Sequence, residues 1–316
     1  MQIMVFTTGG TIGSAFDGTA VDVCADRRCA VAERYAAEHN GIQFDVRSPL
    51  NILSERVACD DLNTLAKAVF EEEFDRCEGV IFTVGSDNLA YLSGFVSLLF
   101  GERGVPLCFV ASDKVLSDES ANGYANFCCA IELIAQGRKG AFVPYRNSDG
   151  RMVVHSAYDI RQADLSDDFC SFHGAYGIYE NGVLCEINPY FKQSVPDLFN
   201  KAHLPCVSEN VLMIHPHPLQ DYVRLNAKGA RAVLHTLYHS GTLDSKRVLR
   251  WTATLGEVPV FLASLRRGRA IYASTAEAIR AGAIPLYDIS PECAYMKLLL
   301  ACAQDKLGVR EFMEER

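Results

Sequence analysis

The sequence has neither a surplus of positive charge nor a long apolar run. Its 30 lysines and arginines stand against 39 aspartates and glutamates, which leaves a formal net charge of −9. A nonspecific nucleic-acid binder needs a basic face, so this class of protein is excluded. No stretch approaches the roughly 20 apolar residues of a membrane helix, and no basic segment with a long apolar stretch opens the chain, so we expect no membrane partner and no signal peptide.

The cysteines and histidines lack the spacings of a metal site. The twelve cysteines include no Cys-x-x-Cys pair, and Cys128 and Cys129 are adjacent in an apolar segment. His215 and His217 alternate with prolines and have no carboxylate or cysteine nearby, so we expect no metal. Free cysteine packs as a small apolar residue and disulfides are uncommon in the cytosol. We therefore expect reduced thiols and a cytoplasmic protein.

Length and hydrophobic content permit one large domain or two moderate ones. The chain has 316 residues, of which 49% are hydrophobic, enough for a sizeable core. Strand-like and helix-like runs alternate in the first half, which indicates a largely parallel sheet with helices on both faces. We predict an α/β fold, with a larger N-terminal parallel-sheet domain at 1–190, a proline-containing linker at 191–208, and a smaller C-terminal α/β domain at 209–316.

The patterns also predict individual elements. Strands are expected at 3–6, 43–46, 80–83, 107–110 and 141–143, and helices at 25–38, 60–72, 89–100 and 121–135. Hairpin strands are expected within 149–160 and 177–187. The C-terminal part is expected to hold strands at 211–214, 232–236 and 258–263 and a helix at 291–303, before a solvated charged end at 310–316.

The first candidate motif follows the first strand. Thr8-Gly9-Gly10-Thr11-Ile12 is neither a phosphate loop nor a dinucleotide fingerprint. The ends of strands in open α/β sheets are where ligands bind, and a hydroxyl in such a turn can act as a nucleophile, given a base and an oxyanion hole. The alternative is a tight turn in which threonine caps a helix.

A second motif likewise consists of an apolar run followed by glycine and a hydroxyl residue. The apolar run 80–84 ends in Gly85-Ser86-Asp87, and a helical pattern begins directly afterwards. Ser86 and Asp87 stand where helix-capping residues belong, and a cap contributes about 1 kcal/mol. Two hydroxyl-bearing strand ends with one carboxylate also suit an amino-acid ligand, because an ammonium needs a carboxylate and a carboxylate needs hydroxyl and N–H donors.

Together these motifs resemble the bacterial-type L-asparaginase/glutaminase family, which has a TGGTI signature and a later HGTD-like signature. The resemblance extends over most of the chain. Asn51-Ile52-Leu53-Ser54 is similar to the family's substrate-carboxylate serine segment, and Ser120-Ala121-Asn122-Gly123 to its SADGP-like segment. The match of 212–316 to the smaller domain of that family is looser.

The resemblance implies a role for each matching residue. Thr11 corresponds to the nucleophilic threonine, and Ser86 to a second catalytic hydroxyl that is normally a threonine. Asp87 corresponds to the aspartate that binds the substrate ammonium and belongs to the proton relay, and Ser54 to the serine that binds the α-carboxylate. Gly10 and Gly85 permit close approach of backbone N–H donors to the substrate.

One departure from the family pattern bears directly on the proton relay. Gln162 stands where the family has a relay lysine, and an amide cannot exchange a proton at neutral pH. Three explanations remain open: a register shifted by one, which would bring Arg161 to the site; another base, with Tyr145, Lys114 or a water held by Asp87 as candidates; or a slow or inactive relative. The segment 14–23 also contains no counterpart of the family's lid tyrosine.

The resemblance implies an amidohydrolase that acts on L-asparagine, with L-glutamine as a further candidate substrate, and needs no cofactor. It also implies a homodimer or homotetramer, and the segment 238–242 could face a neighbouring subunit's site or form a simple turn. Two alternatives stay open. One is a noncatalytic amino-acid binder or regulatory relative, and the other is an amidase on a larger amide such as a peptide or a tRNA-linked group.

Overall fold

Two sheets and the helices packed on them make up the structure, a computed structural model that describes residues 1–16, 18–24, 29–101, 103–164 and 166–315. The strands of the larger sheet are β1 Gln2–Thr7, β4 Gln43–Arg47, β5 Gly79–Thr83, β6 Leu107–Val110, β7 Ala141–Arg146, β8 Met152–Ser156, β11 Gly177–Glu180 and β12 Val183–Glu186. Across the sheet these eight strands lie in the order β12-β11-β8-β7-β6-β5-β1-β4. Two small hairpins accompany it, namely β2 Ser14–Phe16 with β3 Val21–Val23, and β9 Ile160–Arg161 with β10 Cys170–Ser171.

The pairing confirms a largely parallel sheet with later hairpin strands. β4, β1, β5, β6 and β7 run parallel to one another, whereas β8, β11 and β12 are antiparallel to their neighbours. Parallel neighbours require crossover connections, and helices supply most of them. As a result the carboxyl ends of β4, β1 and β5 lie side by side at one edge.

Helices cover both faces of the larger sheet. Because side chains alternate along a strand, Ile3 and Val5 of β1 belong to one buried cluster and Met4 and Phe6 to another. Residues of α1 Ala30–Glu38 and α4 Gly123–Ala135 complete the first cluster, and residues of α2 Cys59–Glu71 and α3 Leu89–Phe100 belong to the second. All but Tyr91 of the twelve residues of α3 are buried, which accounts for its continuous apolar sequence.

The second sheet is entirely parallel. It is formed by β13 Val211–Ile214, β14 Ala232–Thr236, β15 Val260–Leu265 and β16 Ile284–Tyr287, in that order. The helices α5 Ser245–Thr252 and α6 Ala273–Arg280 lie between its strands in the chain, and α7 Pro291–Cys302 and α8 Val309–Glu314 follow them. The two sheets lie on either side of 191–208, and the division into domains at those boundaries stays a prediction.

The helix α7 connects the two sheets. It packs against α3 of the first part and against β13 and β14 of the second. One hydrophobic cluster therefore contains residues of both sheets, such as Phe6 and Leu234. Within the described ranges, no helix is long and apolar enough to cross a membrane.

Some boundaries and one end differ from the expectations. The helix expected at 25–38 begins at Ala30, and residues 25–28 lie outside the described residues. The charged end is not simply solvated, because α8 buries Phe312 and Met313 against the core. The two adjacent apolar residues stand among charged ones and do not show the spacing of an amphipathic helix. Packing, and not a local sequence pattern, therefore determines this helix.

Candidate active site

The candidate site lies at the carboxyl ends of three adjacent parallel strands. Thr11 opens a short 3-10 turn after β1, and Ser86 and Asp87 lie in a similar turn after β5. Ser54 begins a third such turn in the segment that follows β4. Since β1 is paired with both β4 and β5, the fold brings together the three turns that carry these four residues.

The glycines of the first motif permit this packing. Gly9 and Gly10 have positive φ angles of 102° and 74°, which side chains rarely tolerate. The amide of Gly10 donates to the carbonyl of Ile52 at 3.0 Å. A β-carbon at Gly10 would lie 2.3 Å from the Cα of Gly85. The turns after β1 and β5 can therefore touch only where both residues lack a side chain.

The third turn packs on the same glycine and contributes a hydroxyl. A β-carbon at Gly85 would lie 2.4 Å from the Cβ of Ser54. The buried Ser54 hydroxyl donates to Oδ2 of the exposed Asp87 at 2.8 Å, and the side-chain amide of Asn88 donates to the Ser54 carbonyl at 3.1 Å. The two groups expected to bind the ends of an amino acid are thus in direct contact.

The two candidate catalytic hydroxyls are accessible. Thr11 and Ser86 are both half-buried, and within the part of the chain that the structure describes neither hydroxyl makes a side-chain hydrogen bond. Thr8 differs, because its buried hydroxyl donates to the carbonyl of Thr83 at 2.9 Å and so fixes the turn. Of the two threonines in the motif, Thr11 is the one whose hydroxyl remains available to a ligand.

Gln162 lies beside the Ser86 turn, where the sequence register predicts the relay position. Its Nε2 donates to the carbonyl of Ser86 at 2.7 Å, and its Oε1 accepts from the amide of Ala90 at 3.4 Å. Arg161 instead pairs with Glu292, with Nε 3.1 Å from both carboxylate oxygens. The contacts favour the unshifted register, and the shifted one, which would bring Arg161 to the site, has no support from them.

The two side chains considered as substitute bases are engaged elsewhere. Tyr145 is fully buried against Phe169, and burial raises the pKa of its hydroxyl, so the proton is held more firmly. Lys114 is exposed, and its Nζ donates to Ser120 Oγ at 2.6 Å. Of the named candidates, a water held by Asp87 is the one that no contact in the structure disfavours.

The sequence also singled out the expected lid at 14–23 and the segment 238–242. The β2–β3 hairpin follows Thr11 directly, and its Phe16 is 58% exposed; Asp17 of the expected lid lies outside the described residues. His239 and Ser240 line a cavity of about 560 Å³ together with Arg266 and Arg269. That cavity does not include the hydroxyls of the candidate site.

The described residues contain no group of three histidines, cysteines, aspartates or glutamates placed to hold a metal ion. His215 Nδ1 lies 3.3 Å from the Thr236 hydroxyl, and His217 Nδ1 lies 2.9 Å from the Pro218 carbonyl. Burial lowers the pKa of the His215 imidazole. The polar groups at the candidate site are hydroxyls, one carboxylate and backbone amides, a set suited to an amino acid.

Sequence reasoning missed Glu292, the buried carboxylate behind Gln162. It accepts the backbone amide of Gln162 at 3.1 Å, although 130 residues separate the two in the chain. No motif marks it, because Ser290-Pro291-Glu292 has the composition of an ordinary helix start. Only the packing of α7 behind β9 reveals the contact.

Comparison with known proteins gives one family. The family model described as "Asparaginase, N-terminal" matches residues 2–179. The L-asparaginase of Thermococcus kodakarensis is 26% identical over 329 aligned positions, covering 99% of this chain and 97% of that protein. A component of the glutamyl-tRNA(Gln) amidotransferase of Thermoplasma volcanium is also 26% identical, covering 99% of this chain and 78% of that protein.

Solved structures share the architecture over the whole chain. The thermostable L-asparaginase from Thermococcus kodakarensis superposes with a TM-score of 0.76 at 23% identity, covering 100% of this chain and 98% of that one. A probable cytoplasmic L-asparaginase from Campylobacter jejuni superposes with a TM-score of 0.70 at 19% identity, covering 100% and 99%. At these identities the likeness describes the fold, and it agrees with the α/β class predicted from the sequence.

Proposed function

The chain belongs to the asparaginase family and is an amidohydrolase, and from this premise we propose that it hydrolyses the side-chain amide of L-asparagine to L-aspartate and ammonia. The single observation that carries the proposal is the convergence of Thr11, Ser54, Ser86 and Asp87 at one sheet edge. L-Glutamine, one methylene longer, is a second substrate to be compared. The proposal includes a cytoplasmic location and no cofactor.

Recognition of the substrate would use both ends of the amino acid. The Asp87 carboxylate would pair with the α-ammonium, and the Ser54 hydroxyl, which donates to Asp87 in the free chain, would donate to the α-carboxylate. On binding, the Ser54 hydroxyl would exchange its bond to Asp87 for one to the ligand. Charge-assisted hydrogen bonds of this kind are roughly twice as strong as neutral ones, so these two contacts would orient the side-chain amide.

In the chemical step, the Thr11 hydroxyl oxygen would attack the amide carbon. The carbonyl oxygen gains negative charge in the tetrahedral intermediate, and backbone N–H groups around Gly10 and Gly85 are the donors proposed to stabilise it; one such donor is worth about 3 kcal/mol. Collapse breaks the C–N bond, and the nitrogen leaves as ammonia after taking up a proton. Water then attacks the resulting ester, which releases L-aspartate and restores the Thr11 hydroxyl.

The proton of Thr11 needs an acceptor other than residue 162. The carboxamide of Gln162 cannot take it, so we assign this transfer to a water held between Ser86 and Asp87. General base catalysis contributes about 100-fold to 10,000-fold, and a water is a weaker base than a deprotonated lysine. A slow turnover compared with a lysine-containing relative therefore follows from the sequence at this position.

A noncatalytic amino-acid binder is the second candidate, and Gln162 is the observation that favours it. Its carboxamide already donates to Ser86 and accepts from Ala90, so both polar atoms serve the structure. Under this alternative Asp87 and Ser54 would still bind the amino acid. The protein would then bind L-aspartate or L-asparagine and release no ammonia.

Assembly into a homodimer or homotetramer belongs to the same proposal. Asp87 is exposed in the single chain, and a second copy could cover this edge of the sheet. Light scattering of the purified protein would give the number of chains per particle. A strictly monomeric particle that is fully active would contradict this part of the proposal.

The test of function is ammonia release from L-asparagine and L-glutamine by the purified protein. Thr11→Ala should lower kcat by at least about 1,000-fold, because it removes the attacking oxygen, while L-aspartate still binds. Thr252→Ala is the matched control, since Thr252 is also half-buried but lies in α5, where its hydroxyl donates to the Leu249 carbonyl at 3.2 Å. Aspartate binding without ammonia release from wild type would favour the binder.

A further inference from the structure

Glu292 is a buried carboxylate with a defined set of donors. It is the second residue of α7, which Pro291 opens and Ser290 caps by accepting the amide of Cys293 at 3.2 Å. Its side chain is only 5% exposed. A buried charge is costly unless it is paired, and the N-terminal end of a helix favours a negative charge. A carboxylate at this buried position therefore depends on its hydrogen-bond partners.

Those partners belong to one short stretch of chain. Arg161 Nε donates to both oxygens of Glu292 at 3.1 Å, and the backbone amide of Gln162 donates to Oε1 at 3.1 Å. Arg161 is the last residue of β9, and Gln162 follows it directly. The carboxylate thus fixes the direction in which the chain leaves β9, and with it the point from which the Gln162 side chain extends.

The Gln162 side chain in turn holds the candidate catalytic turn. Its Nε2 donates to the Ser86 carbonyl at 2.7 Å and its Oε1 accepts from the Ala90 amide at 3.4 Å. Ala90 is the second residue of α3, and amides in the first turn of a helix have no acceptor within the helix. One carboxamide therefore joins the Ser86–Asp87 turn to the helix behind it.

We propose that Glu292 is a positioning residue for amide hydrolysis, because it fixes the peptide of Gln162 and, through the Gln162 carboxamide, the Ser86–Asp87 turn. The expected effect of Glu292 on turnover rests on the proposed function. The expected effect of Glu292 on the position of the Ser86–Asp87 turn does not depend on that function. It also gives Gln162 a role in this chain, as the link between the catalytic turn and α7.

The first variant is Glu292→Ala, which removes both acceptor oxygens. We expect kcat for L-asparagine to fall about tenfold to 100-fold, since small misplacements of reacting groups have effects of that size. KM should change less than kcat, because the Ser54 hydroxyl still holds the Asp87 carboxylate while the Ser86 carbonyl loses its hydrogen bond from Gln162. Glu292→Gln retains one acceptor oxygen for the Gln162 amide and should recover most of the loss. If the alanine variant does not fold, Glu292→Asp serves, since it keeps the charge but retracts the acceptor from Gln162.

Coupling between the two residues separates positioning from general stability. In a Gln162→Ala background, Glu292→Ala should cause no further fall in kcat, because the link it supports is already absent. Glu72→Ala is the matched control. Glu72 also pairs with an arginine, Arg47, whose Nη2 lies 3.2 Å from Oε2, and the pair lies beside Gln2 and Met4 in the amino-terminal half of β1. This variant should alter stability and leave kcat unchanged.

Amide hydrogen exchange at Ala90 supplies a readout that needs no turnover. Removing Glu292 should speed exchange of this amide about tenfold relative to wild type, whereas amides in the middle of α3 should keep their protection. Unchanged Ala90 exchange, or an additive loss of kcat in the double variant, overturns the proposal. Should wild type release no ammonia, the proposed function fails, and Ala90 exchange alone decides the role of Glu292.

Discussion

At the scale of single residues, position 162 is the departure from the family pattern that bears most on the proposed chemistry. A glutamine carboxamide donates to the Ser86 carbonyl there, which a lysine ammonium could also do. The lysine would add a group able to take up and release a proton when its pKa is lowered. In the proposed function, residue 162 keeps the hydrogen bond to the Ser86 turn but does not exchange a proton.

Gln162→Lys is therefore expected to raise kcat for L-asparagine at least about tenfold, since general base catalysis is worth about 100-fold or more. The measurement is ammonia release as a function of pH. A new basic limb, with activity rising as the introduced amine loses its proton, is expected in the variant and not in wild type. Gln136→Lys is the control, because Gln136 also donates through Nε2 to a carbonyl, that of Gly182 at 3.2 Å, on the exposed surface.

A flat response to Gln162→Lys, with the protein folded and aspartate affinity unchanged, would contradict the assignment of this position to the relay. A rise that the Gln136 variant reproduces would point to an effect of net charge. Only a gain confined to residue 162 agrees with the account.

At the scale of elements, one histidine joins the β9–β10 hairpin to the loop after β16. His173 Nδ1 lies 2.6 Å from Asp159 Oδ1, and Nε2 lies 3.3 Å from Asp288 Oδ1. Its ring stacks on Phe191 at 3.9 Å, and Arg267 also pairs with Asp288 at 3.2 Å. Burial lowers the pKa of the imidazole, but hydrogen bonds and charge from the two aspartates outweigh it and raise the pKa overall.

The raised pKa of His173 gives stability a defined pH dependence. A histidine that holds its proton more firmly when folded contributes fully below the unfolded pKa of about 6.5, and the contribution is lost as pH rises through the folded pKa. His173→Gln should therefore lower the free energy of unfolding by about 2 kcal/mol at pH 5.5, from lost hydrogen bonds to charged groups, and by less at pH 9. Urea unfolding at both pH values measures the difference.

The exposed His217, whose Nδ1 lies 2.9 Å from the Pro218 carbonyl, provides the control for this experiment. His217→Gln should lower the free energy of unfolding at pH 5.5 by less than His173→Gln does, because the His217 side chain is exposed. An effect of His173→Gln that grows towards pH 9 would have the wrong sign and would refute the ion-pair explanation.

At the scale of the whole molecule, the sequence predicts most of the larger sheet and the edge at which its two motifs meet. Apolar runs with adjacent glycines and hydroxyls identify β1 and β5, and the helix at 89–100 is read correctly because its apolar run has clear boundaries. The close approach of the turns that carry Thr11 and Ser86 also follows, because neighbouring parallel strands end at the same edge.

Long-range packing explains what could not be predicted. Glu292 contacts Gln162 only because α7 lies against both α3 and the second sheet, and no local pattern records such a contact. The same packing buries Phe312 in a charged terminal segment. Elements that are stabilised mainly by packing in the shared core lack the clear local sequence patterns found at β1 and β5.

The most direct test of the central claim is a crystal structure of the protein with L-aspartate bound. The account predicts the α-ammonium on the Asp87 carboxylate, the α-carboxylate at the Ser54 hydroxyl, and the side-chain carboxylate about 3 Å from the hydroxyl of Thr11. Aspartate bound with its side chain directed away from Thr11, or bound at another place on the molecule, would contradict it.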